Sequence, residues 1–226
     1  MKYMVETAID VLSRLAVEWE IIVVDDGSSD RTPEIAKELS EEYEGVKLVR
    51  HKENKGIGSA VNTGISNSCK TWVFYTDCDG QFNLDELEML WQIRDSADVI
   101  SGFRRKRQDP LMRLMYSFAY NTIAYIIFAG GFKDVDSSFK LFRRSIFEDI
   151  SIRSSSSVAD LELLILPQKR GYRIRQLPVS HYPRRAGIVS CESYRKGVFA
   201  WVRIAPIIEM FVQLLQLRLR LWRGDV

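Results

Sequence analysis

Short apolar runs alternate with amphipathic segments along the first half of the chain, and each apolar run ends in polar or glycine residues. Runs rich in Val, Ile and aromatic residues predict buried strands at residues 20–24, 46–50, 72–75 and 99–102. Apolar residues at helical spacing predict helices at residues 5–17, 32–42, 59–67 and 84–95. This alternation predicts an α/β fold with a mostly parallel, Rossmann-like central sheet, flanked by helices and binding its ligands at the carboxyl ends of the strands.

The second half is predicted to contain two long amphipathic helices, with a helix near 159–169 and a strand at 172–179 between them. In the first long helix, at 111–128, Arg113, Ser117 and Asn121 recur every four residues and share one stripe. A core helix and a helix lying at a membrane surface both explain this pattern.

The second long helix belongs to the C-terminal segment, which is predicted to be helical from Tyr194 onward. Its polar face contains Glu209, Gln213, Gln216, Arg220 and Arg223. Its apolar face contains Trp201, Ile204, Ile208, Phe211, Leu215 and Trp222. Trp and Arg together suit a membrane interface, although a partner helix could cover the same face.

Composition narrows the class of protein. The 226 residues are enough for one α/β domain with a full core. A net charge of +2 excludes a protein that coats a polyanion, so no nucleic-acid partner is expected, although a local basic patch is allowed. The three cysteines lack C-x-x-C spacing and predict reduced thiols in a cytosolic setting. No secretory signal is visible, and no run of about 18 uncharged apolar residues predicts a membrane span.

The candidate chemistry lies at residues 74–81, where an apolar run ends in Asp77 and Asp79 with one residue between them. Carboxylates at the end of a buried strand cost free energy unless a cation lies between them. Mg²⁺ commonly binds one or two carboxylates together with substrate phosphates. The sequence therefore indicates a metal–diphosphate site, with the amide of Gln81 as a further candidate ligand. A solvated, Asp-rich turn is the alternative.

A dinucleotide-binding site is a weaker candidate. Gly56 and Gly58 follow a strand and precede a helix, and Asp77 lies about twenty residues further on. The third small position is occupied by Val61, where close packing of helix and strand requires Gly or Ala. The pattern therefore disfavours a nicotinamide oxidoreductase, yet its glycines allow the backbone to approach the phosphates of a nucleotide.

Five motifs in order resemble the family 2 glycosyltransferases of the GT-A fold, in particular the polyprenyl-phosphate sugar transferases. They are residues 23–30 (VVDDGSSD), 54–64 (NKGIGSAVNTG), 76–81 (TDCDGQ), 134–144 (DVDSSFKLFRR) and 181–184 (HYPR). Each motif alone is modest, but five in the family's order are specific. The resemblance implies a GT-A domain over residues 1–190 and an amphipathic C-terminal helical segment over residues 191–226.

The resemblance also implies roles for individual residues. The nucleotide sugar, a UDP- or GDP-hexose, would contact Asp25, Asp26, Gly27, Ser28, Lys55, Gly56 and Asp77. Mg²⁺ or Mn²⁺ would be held by Asp79 and Gln81. Arg104 and Arg113 would receive the phosphate of polyprenyl phosphate, and Lys140 or Arg184 would help to bind a phosphate. The acceptor side would be shaped by Asp134, Asp160 and Glu162.

The start of the chain departs from the family. The family opens with a strand of the type Val-Val-Ile-Pro that contributes to the nucleotide pocket, whereas this chain starts within the helix that follows such a strand. We therefore expect a sheet with an unpaired edge, which favours association of copies into a homo-oligomer. A catalytically weak binding or scaffold subunit is the alternative that this departure motivates.

The expected activity is metal-dependent transfer of a hexose to polyprenyl phosphate, by a protein that binds peripherally to the cytosolic face of a membrane. A phosphate monoester is already anionic near pH 7, since its second pKa is about 6, so no strong general base is required. The metal would neutralise the leaving diphosphate, and direct displacement would invert the anomeric centre. Transfer to a glycan hydroxyl is the alternative, with Asp134 or Asp160 as the base.

Overall fold

The computed structural model describes residues 1–105, 111–183 and 204–225, and its elements follow the predicted alternation. The helices are α1 (Lys2–Arg14), α2 (Thr32–Glu42), α3 (Ile57–Ser66), α4 (Leu87–Gln92), α5 (Leu111–Phe128), α6 (Val158–Lys169) and α7 (Ile204–Arg223). The strands are β1 (Ile21–Asp25), β2 (Val46–Arg50), β3 (Trp72–Tyr75), β4 (Val99–Arg105), β5 (Lys140–Arg143) and β6 (Ile174–Ser180). Short 3₁₀ helices occur at Leu84–Glu86, Arg94–Ser96 and Arg144–Glu148.

The strands form two groups. β1 and β2 pair in parallel, and four further strands pair in the order β3-β5-β4-β6. β5 lies antiparallel between β3 and β4, whereas β4 and β6 are parallel. β3 and β4 therefore run in the same direction, and β5 is the strand of opposite direction in its group. The predicted mostly parallel sheet is confirmed, but the sequence analysis did not identify β5.

A cavity of about 1770 Å³ lies between β1 and β3. Its walls include residues 21–24 of β1 and all of β3, together with apolar side chains of α1 and α3. All four residues of β3 are only half-buried, because this strand borders the cavity. Within the described residues, the facing edges of β1 and β3 have no strand partner, which confirms the expected unpaired edge. Association of copies through such edges stays a prediction.

Helices on both sides of the strands supply the core. The largest apolar cluster joins side chains of α3, α5, α6 and α7, and a second joins α1 and α4 to the central strands. A third cluster packs α1 and α2 against β1 and β2. Helix α6 is the central helix, because its residues from Val158 to Pro167 are all buried. A helix buried on every side does not need an amphipathic pattern, and α6 shows none.

The long helices α5 and α7 bury only part of their surfaces. In α7, Leu214 and Leu217 are buried against the core. Large apolar side chains remain exposed on both helices, namely Met115, Tyr116, Phe118, Tyr125, Ile126, Ile208, Phe211, Val212, Leu215, Leu219 and Trp222. Among the helices that the structure describes, none is both long and apolar enough to cross a membrane.

Candidate nucleotide and metal site

The turn after β1 is built on a buried carboxylate. Asp25, whose side chain is fully buried, accepts a hydrogen bond from the backbone N–H of Ser28 at 3.0 Å and pairs with Nε of Arg50 at 3.0 Å. Gly27 has φ +74°, and a Cβ atom there would lie 2.5 Å from the carbonyl carbon of Glu53. Glycine is therefore required where this turn packs against the loop after β2.

Asp26 joins the two loops directly. Its carboxylate accepts hydrogen bonds from the backbone N–H groups of Lys55 at 2.9 Å and Gly56 at 2.8 Å. The imidazole of His51 lies 2.6 Å from the same carboxylate. The structure thus brings together the residues predicted to contact the nucleotide after β1 and β2. His51 was not singled out by the sequence analysis, although its place directly after a strand is a usable signal.

The acidic stretch follows β3 at the carboxyl end of the strand, as predicted. The backbone N–H of Gln81 donates to Oδ1 of Asp79 at 3.0 Å, which closes a tight turn. The side-chain amide of Gln81 is buried and donates to the carbonyl of Tyr182 at 3.1 Å. Asp77 borders the cavity and is reached by water from it.

The surroundings of Asp77 concentrate negative charge. Although Asp77 is exposed to the cavity, the neighbouring protein removes part of the hydration of its carboxyl group. This loss of hydration, together with the nearby Asp160, raises its pKa to about 6. Asp79 and Asp136 raise this pKa further, while a hydrogen bond with Ser138 opposes the shift. A cation would relieve the mutual repulsion of these carboxylates.

The donor set suits a hard divalent cation such as Mg²⁺ or Mn²⁺, because it consists of carboxylate and amide oxygens. Asp79 and Gln81, the ligands that the resemblance implies, would hold it together with Asp77, and Gln81 and Asp77 both border the cavity. The described residues contain no cluster of three or more His, Cys, Asp or Glu side chains arranged to bind a metal. Substrate phosphates would then have to complete the coordination shell, which is the usual arrangement for Mg²⁺.

Arg104 and Asp134, both predicted on the acceptor side, form a bidentate ion pair. Nε and Nη2 of Arg104 each lie 2.7 Å from an oxygen of Asp134, and Nη2 lies 3.3 Å from Asp136. The side chains of Arg104 and Asp134 are only 5% and 8% exposed. Binding of a lipid phosphate by Arg104 stays a prediction. Such a phosphate would have to compete with the carboxylates of Asp134 and Asp136 for the guanidinium group.

Lys140 and Asp160 form a second buried pair beneath the cavity. Nζ of Lys140 lies 2.8 Å from Oδ1 of Asp160 and also donates to the carbonyl of Ser137. The Lys140 side chain is completely buried, so its charge is directed at Asp160 rather than at solvent. The predicted phosphate contact of Lys140 is untested, but its ammonium group already has a carboxylate partner.

Two further predictions concern arginines that the structure does not describe in full. Arg113 lies in the first turn of α5, where the side chains are outside the described part of the structure. Arg184 and the proposed boundary at residues 190–191 also lie outside the described residues. Their roles remain expectations.

The described site residues converge on the cavity at the carboxyl ends of β1, β2, β3 and β4. Those that border the cavity are Asp26, Lys55, Gly56, Asp77, Gln81, Arg104 and Asp160. Two groups support these from behind: Asp25 and Gly27 shape the first turn, and Asp134 holds Arg104. Asp79 lies in the turn between Asp77 and Gln81, where it accepts a hydrogen bond from the backbone N–H of Gln81. In the part of the chain that the structure describes, the cavity has carboxylates, backbone amides and the guanidinium group of Arg104 at its polar end and apolar walls beyond.

Helix α7 is attached to this site by its polar face. Oε1 of Gln213 accepts hydrogen bonds from the backbone N–H and hydroxyl of Ser156 at 3.1 and 2.7 Å. Nη1 of Arg220 lies 2.6 Å from the buried carboxylate of Glu162, which also caps the backbone N–H groups of Arg153 and Ser154. The predicted polar face is therefore partly an internal contact. Of the predicted apolar face, Ile208, Phe211, Leu215 and Trp222 are exposed.

Comparison with solved structures identifies the fold. The chain aligns with glucosyl-3-phosphoglycerate synthase from Mycobacterium tuberculosis at 18% identity and a TM-score of 0.62, over 81% of this chain and 68% of that one. The same enzyme in complex with Mn²⁺, UDP and glucosyl-3-phosphoglycerate aligns with a TM-score of 0.61. At this identity the likeness shows the fold alone, which is that of the GT-A glycosyltransferases.

Sequence comparison identifies the family. The model of glycosyl transferase family 2 matches residues 2–151, and the chain belongs to that family. It is 31% identical over 182 residues to a dolichyl-phosphate hexose transferase of Haloferax volcanii, covering 79% of this chain and 76% of that protein. It is 28% identical to a dolichyl-phosphate beta-glucosyltransferase of Trichomonas vaginalis, covering 71% of this chain but only 53% of that relative. The chain thus spans about half the length of some relatives.

Proposed function

We propose that the protein transfers a hexose from a nucleotide diphosphate sugar to the phosphate of a polyprenyl phosphate, with inversion at the anomeric carbon. The observation that carries this proposal is the convergence of Asp26, Lys55, Gly56 and Asp77 on one cavity at the carboxyl ends of the strands. The names of the Haloferax and Trichomonas relatives support a lipid-phosphate acceptor.

The two loops after β1 and β2 are the proposed nucleotide-binding part. Gly27 and Gly56 keep the backbone free of side chains where the loops meet, and Lys55 adds a positive charge at the cavity wall. Asp77, Asp79 and Gln81 are the proposed ligands of Mg²⁺ or Mn²⁺, and a bound ion would neutralise the charge that develops on the leaving diphosphate. UDP and GDP sugars are both compatible with these residues.

The proposed reaction is a direct displacement. An oxygen of the acceptor phosphate forms a bond to the anomeric carbon while the bond from that carbon to the diphosphate oxygen breaks, and the diphosphate leaves with the electron pair. Because the acceptor oxygen is already anionic near neutral pH, the site needs no strong base, which agrees with the ion-paired state of Asp134 and Asp160. A hydroxyl acceptor would instead need one of these carboxylates to be free.

We assign residues 1–190 to a catalytic domain and residues 191–226 to a segment that contacts the membrane. The exposed apolar side chains of α5 and α7 support this assignment, because Phe118, Ile126 and Trp222 are each more than 70% exposed. The two helices also contact each other. Such a surface suits peripheral binding at the interface of the membrane that carries the lipid acceptor.

The nucleotide and metal steps can be tested by calorimetry. We expect the protein to bind UDP or GDP in the presence of Mn²⁺. We expect Asp79→Ala to lose the metal-dependent part of that binding while the protein still folds, with only a small fall in its unfolding temperature from the lost hydrogen bond to Gln81. Asp95→Ala is the matched control, because the Asp95 side chain is 81% exposed and precedes the amino end of β4, at the opposite end of that strand from Arg104. Equal metal-dependent binding by the wild type and Asp79→Ala would remove Asp79 from the site.

The acceptor is tested with radiolabelled UDP- and GDP-hexoses and a short-chain polyprenyl phosphate. Transfer to the lipid phosphate is the expected result. Transfer to a free glycan but not to the lipid phosphate would favour the hydroxyl acceptor. Nucleotide binding without any transfer would indicate a binding or scaffold subunit.

A further inference from the structure

His51 occupies a bridging position that the resemblance does not explain. Its Nδ1 lies 2.6 Å from Oδ1 of Asp26, and its Nε2 lies 2.8 Å from the hydroxyl oxygen of Thr63. Only 10% of the His51 side chain is exposed. Both ring nitrogens are therefore engaged, so the ring is held in one orientation between the ends of β1 and β2 and helix α3. An ionised carboxylate only accepts hydrogen bonds, so Nδ1 carries a proton and donates it to Asp26.

The carboxylate of Asp26 is largely occupied by the protein itself. Oδ1 accepts hydrogen bonds from His51 and from the backbone N–H of Lys55, and Oδ2 accepts one from the backbone N–H of Gly56. A carboxylate offers about four acceptor positions, so three of them are already filled. The principal effect of Asp26 is thus to hold the loop that bears Lys55 and Gly56.

The other side of this loop is held by backbone contacts. Gly56 has φ +89°, and a Cβ atom there would lie 2.4 Å from the carbonyl oxygen of Ser155. A Cβ atom at Gly58 would lie 1.7 Å from the carbonyl oxygen of Ser154. The loop at residues 54–58 is therefore fixed between Asp26 and the Ser154–Ser155 backbone, and it forms part of the cavity wall.

We propose that His51 is a positioning residue for the nucleotide diphosphate. His51 orients the Asp26 carboxylate, and Asp26 in turn holds Lys55 and Gly56 at the place where they face the diphosphate. This inference rests on the proposed function, because it takes the cavity to be the nucleotide site. Asp26 then has two roles. It holds the loop that bears Lys55 and Gly56, and it makes the direct nucleotide contact that the resemblance implies.

Two conservative substitutions separate this role from a merely structural one. The side-chain amide nitrogen of Asn occupies nearly the position of Nδ1 of His, whereas that of Gln lies nearer to Nε2. His51→Asn therefore keeps the donor to Asp26, and His51→Gln keeps only the contact to Thr63. Lys52→Ala is the matched control, because Lys52 is the exposed neighbour of His51.

Calorimetry with Mn²⁺ and UDP or GDP measures the effect. Loss of a charge-assisted hydrogen bond should weaken nucleotide binding roughly ten- to a hundredfold in His51→Gln. We expect His51→Asn to lose less than about threefold and Lys52→Ala to bind like the wild type. In a transfer assay, His51→Gln should raise KM for the nucleotide sugar and leave kcat within about twofold, because the reacting groups are unchanged.

Amide hydrogen exchange provides a readout that does not depend on catalysis. The N–H groups of Lys55 and Gly56 should exchange faster in His51→Gln than in His51→Asn, while the amides of β2 are unchanged. Equal nucleotide affinity and equal exchange in the two variants would overturn the role of His51. If the wild type binds neither nucleotide, the proposed function fails together with the nucleotide part of this inference. The exchange data then decide only whether His51 anchors the loop.

Discussion

The buried pair of Lys140 and Asp160 allows a quantitative prediction about stability. The two side chains are 0% and 6% exposed, and their charged atoms lie 2.8 Å apart. Lys140→Met removes the ammonium group with little change in side-chain length, and it leaves the Asp160 carboxylate buried without that partner. Removing one member of a buried ion pair typically costs about 3–5 kcal/mol, because the remaining charge loses its compensation.

The expected loss is large relative to the total stability, which for a typical domain is about 5–15 kcal/mol. For a chain of this size, each kcal/mol lowers the midpoint of thermal unfolding by about 2–4 °C, so Lys140→Met should lower it by about 6–20 °C. Urea unfolding at pH 7 and calorimetry measure the effect. Lys37→Met is the control, since Lys37 and Glu41 form an exposed pair, 71% and 67% accessible, that contributes about 0.5 kcal/mol or less.

The double variant Lys140→Met, Asp160→Leu tests the reason for the loss. If the uncompensated carboxylate is the cause, replacing it with an apolar side chain should recover most of the stability. The reasoning is refuted if Lys140→Met is as stable as the wild type. It is also refuted if the double variant is no more stable than the single one, since the loss would then come from packing rather than charge.

Two further predictions concern the pH dependence of stability and the binding of the protein to a membrane surface. Although burial by itself raises the pKa of Glu20, hydrogen bonds from the backbone N–H of Cys69 and from Lys47 lower it to about 2. This carboxylate therefore contributes stability above its ordinary pKa of 4.5 and loses the contribution as pH falls through about 2. Glu20→Gln should be less stable by about 1–3 kcal/mol at pH 7, with a difference that shrinks below pH 4.5 in urea unfolding. For the membrane surface, the double substitution Leu215→Glu, Trp222→Glu should abolish sedimentation with vesicles of phosphatidylcholine and phosphatidylglycerol, whereas Gln216→Glu should not. A wild-type protein that stays in the supernatant would contradict the proposed membrane contact.

Local patterns in the sequence determined most of the secondary structure. Apolar runs of four or five residues with β-branched side chains became β1 to β4, and helical spacing predicted α2 and α5 with the bounds that the structure shows. The motifs at Asp26, Gly56 and Asp77 could be placed at one sheet edge, because parallel strands bring their carboxyl ends together. These features depend on neighbours in the chain, so a single sequence is enough to predict them.

Tertiary structure alone decided features that depend on residues distant in the chain. β5 begins with Lys140, a charged residue that local pattern does not place in a buried strand; Asp160 on α6 supplies its counter-charge. The pairing of Arg104 with Asp134 and the bridge from His51 to Asp26 and Thr63 likewise join residues that lie far apart in the sequence. Gln213 and Arg220 of α7 turn toward the core because Ser156 and Glu162 offer them partners there, while Leu215 and Trp222 stay exposed. The charge and hydrogen-bond partners of a buried polar group are set by where the fold places them, and neither composition nor periodicity contains that information.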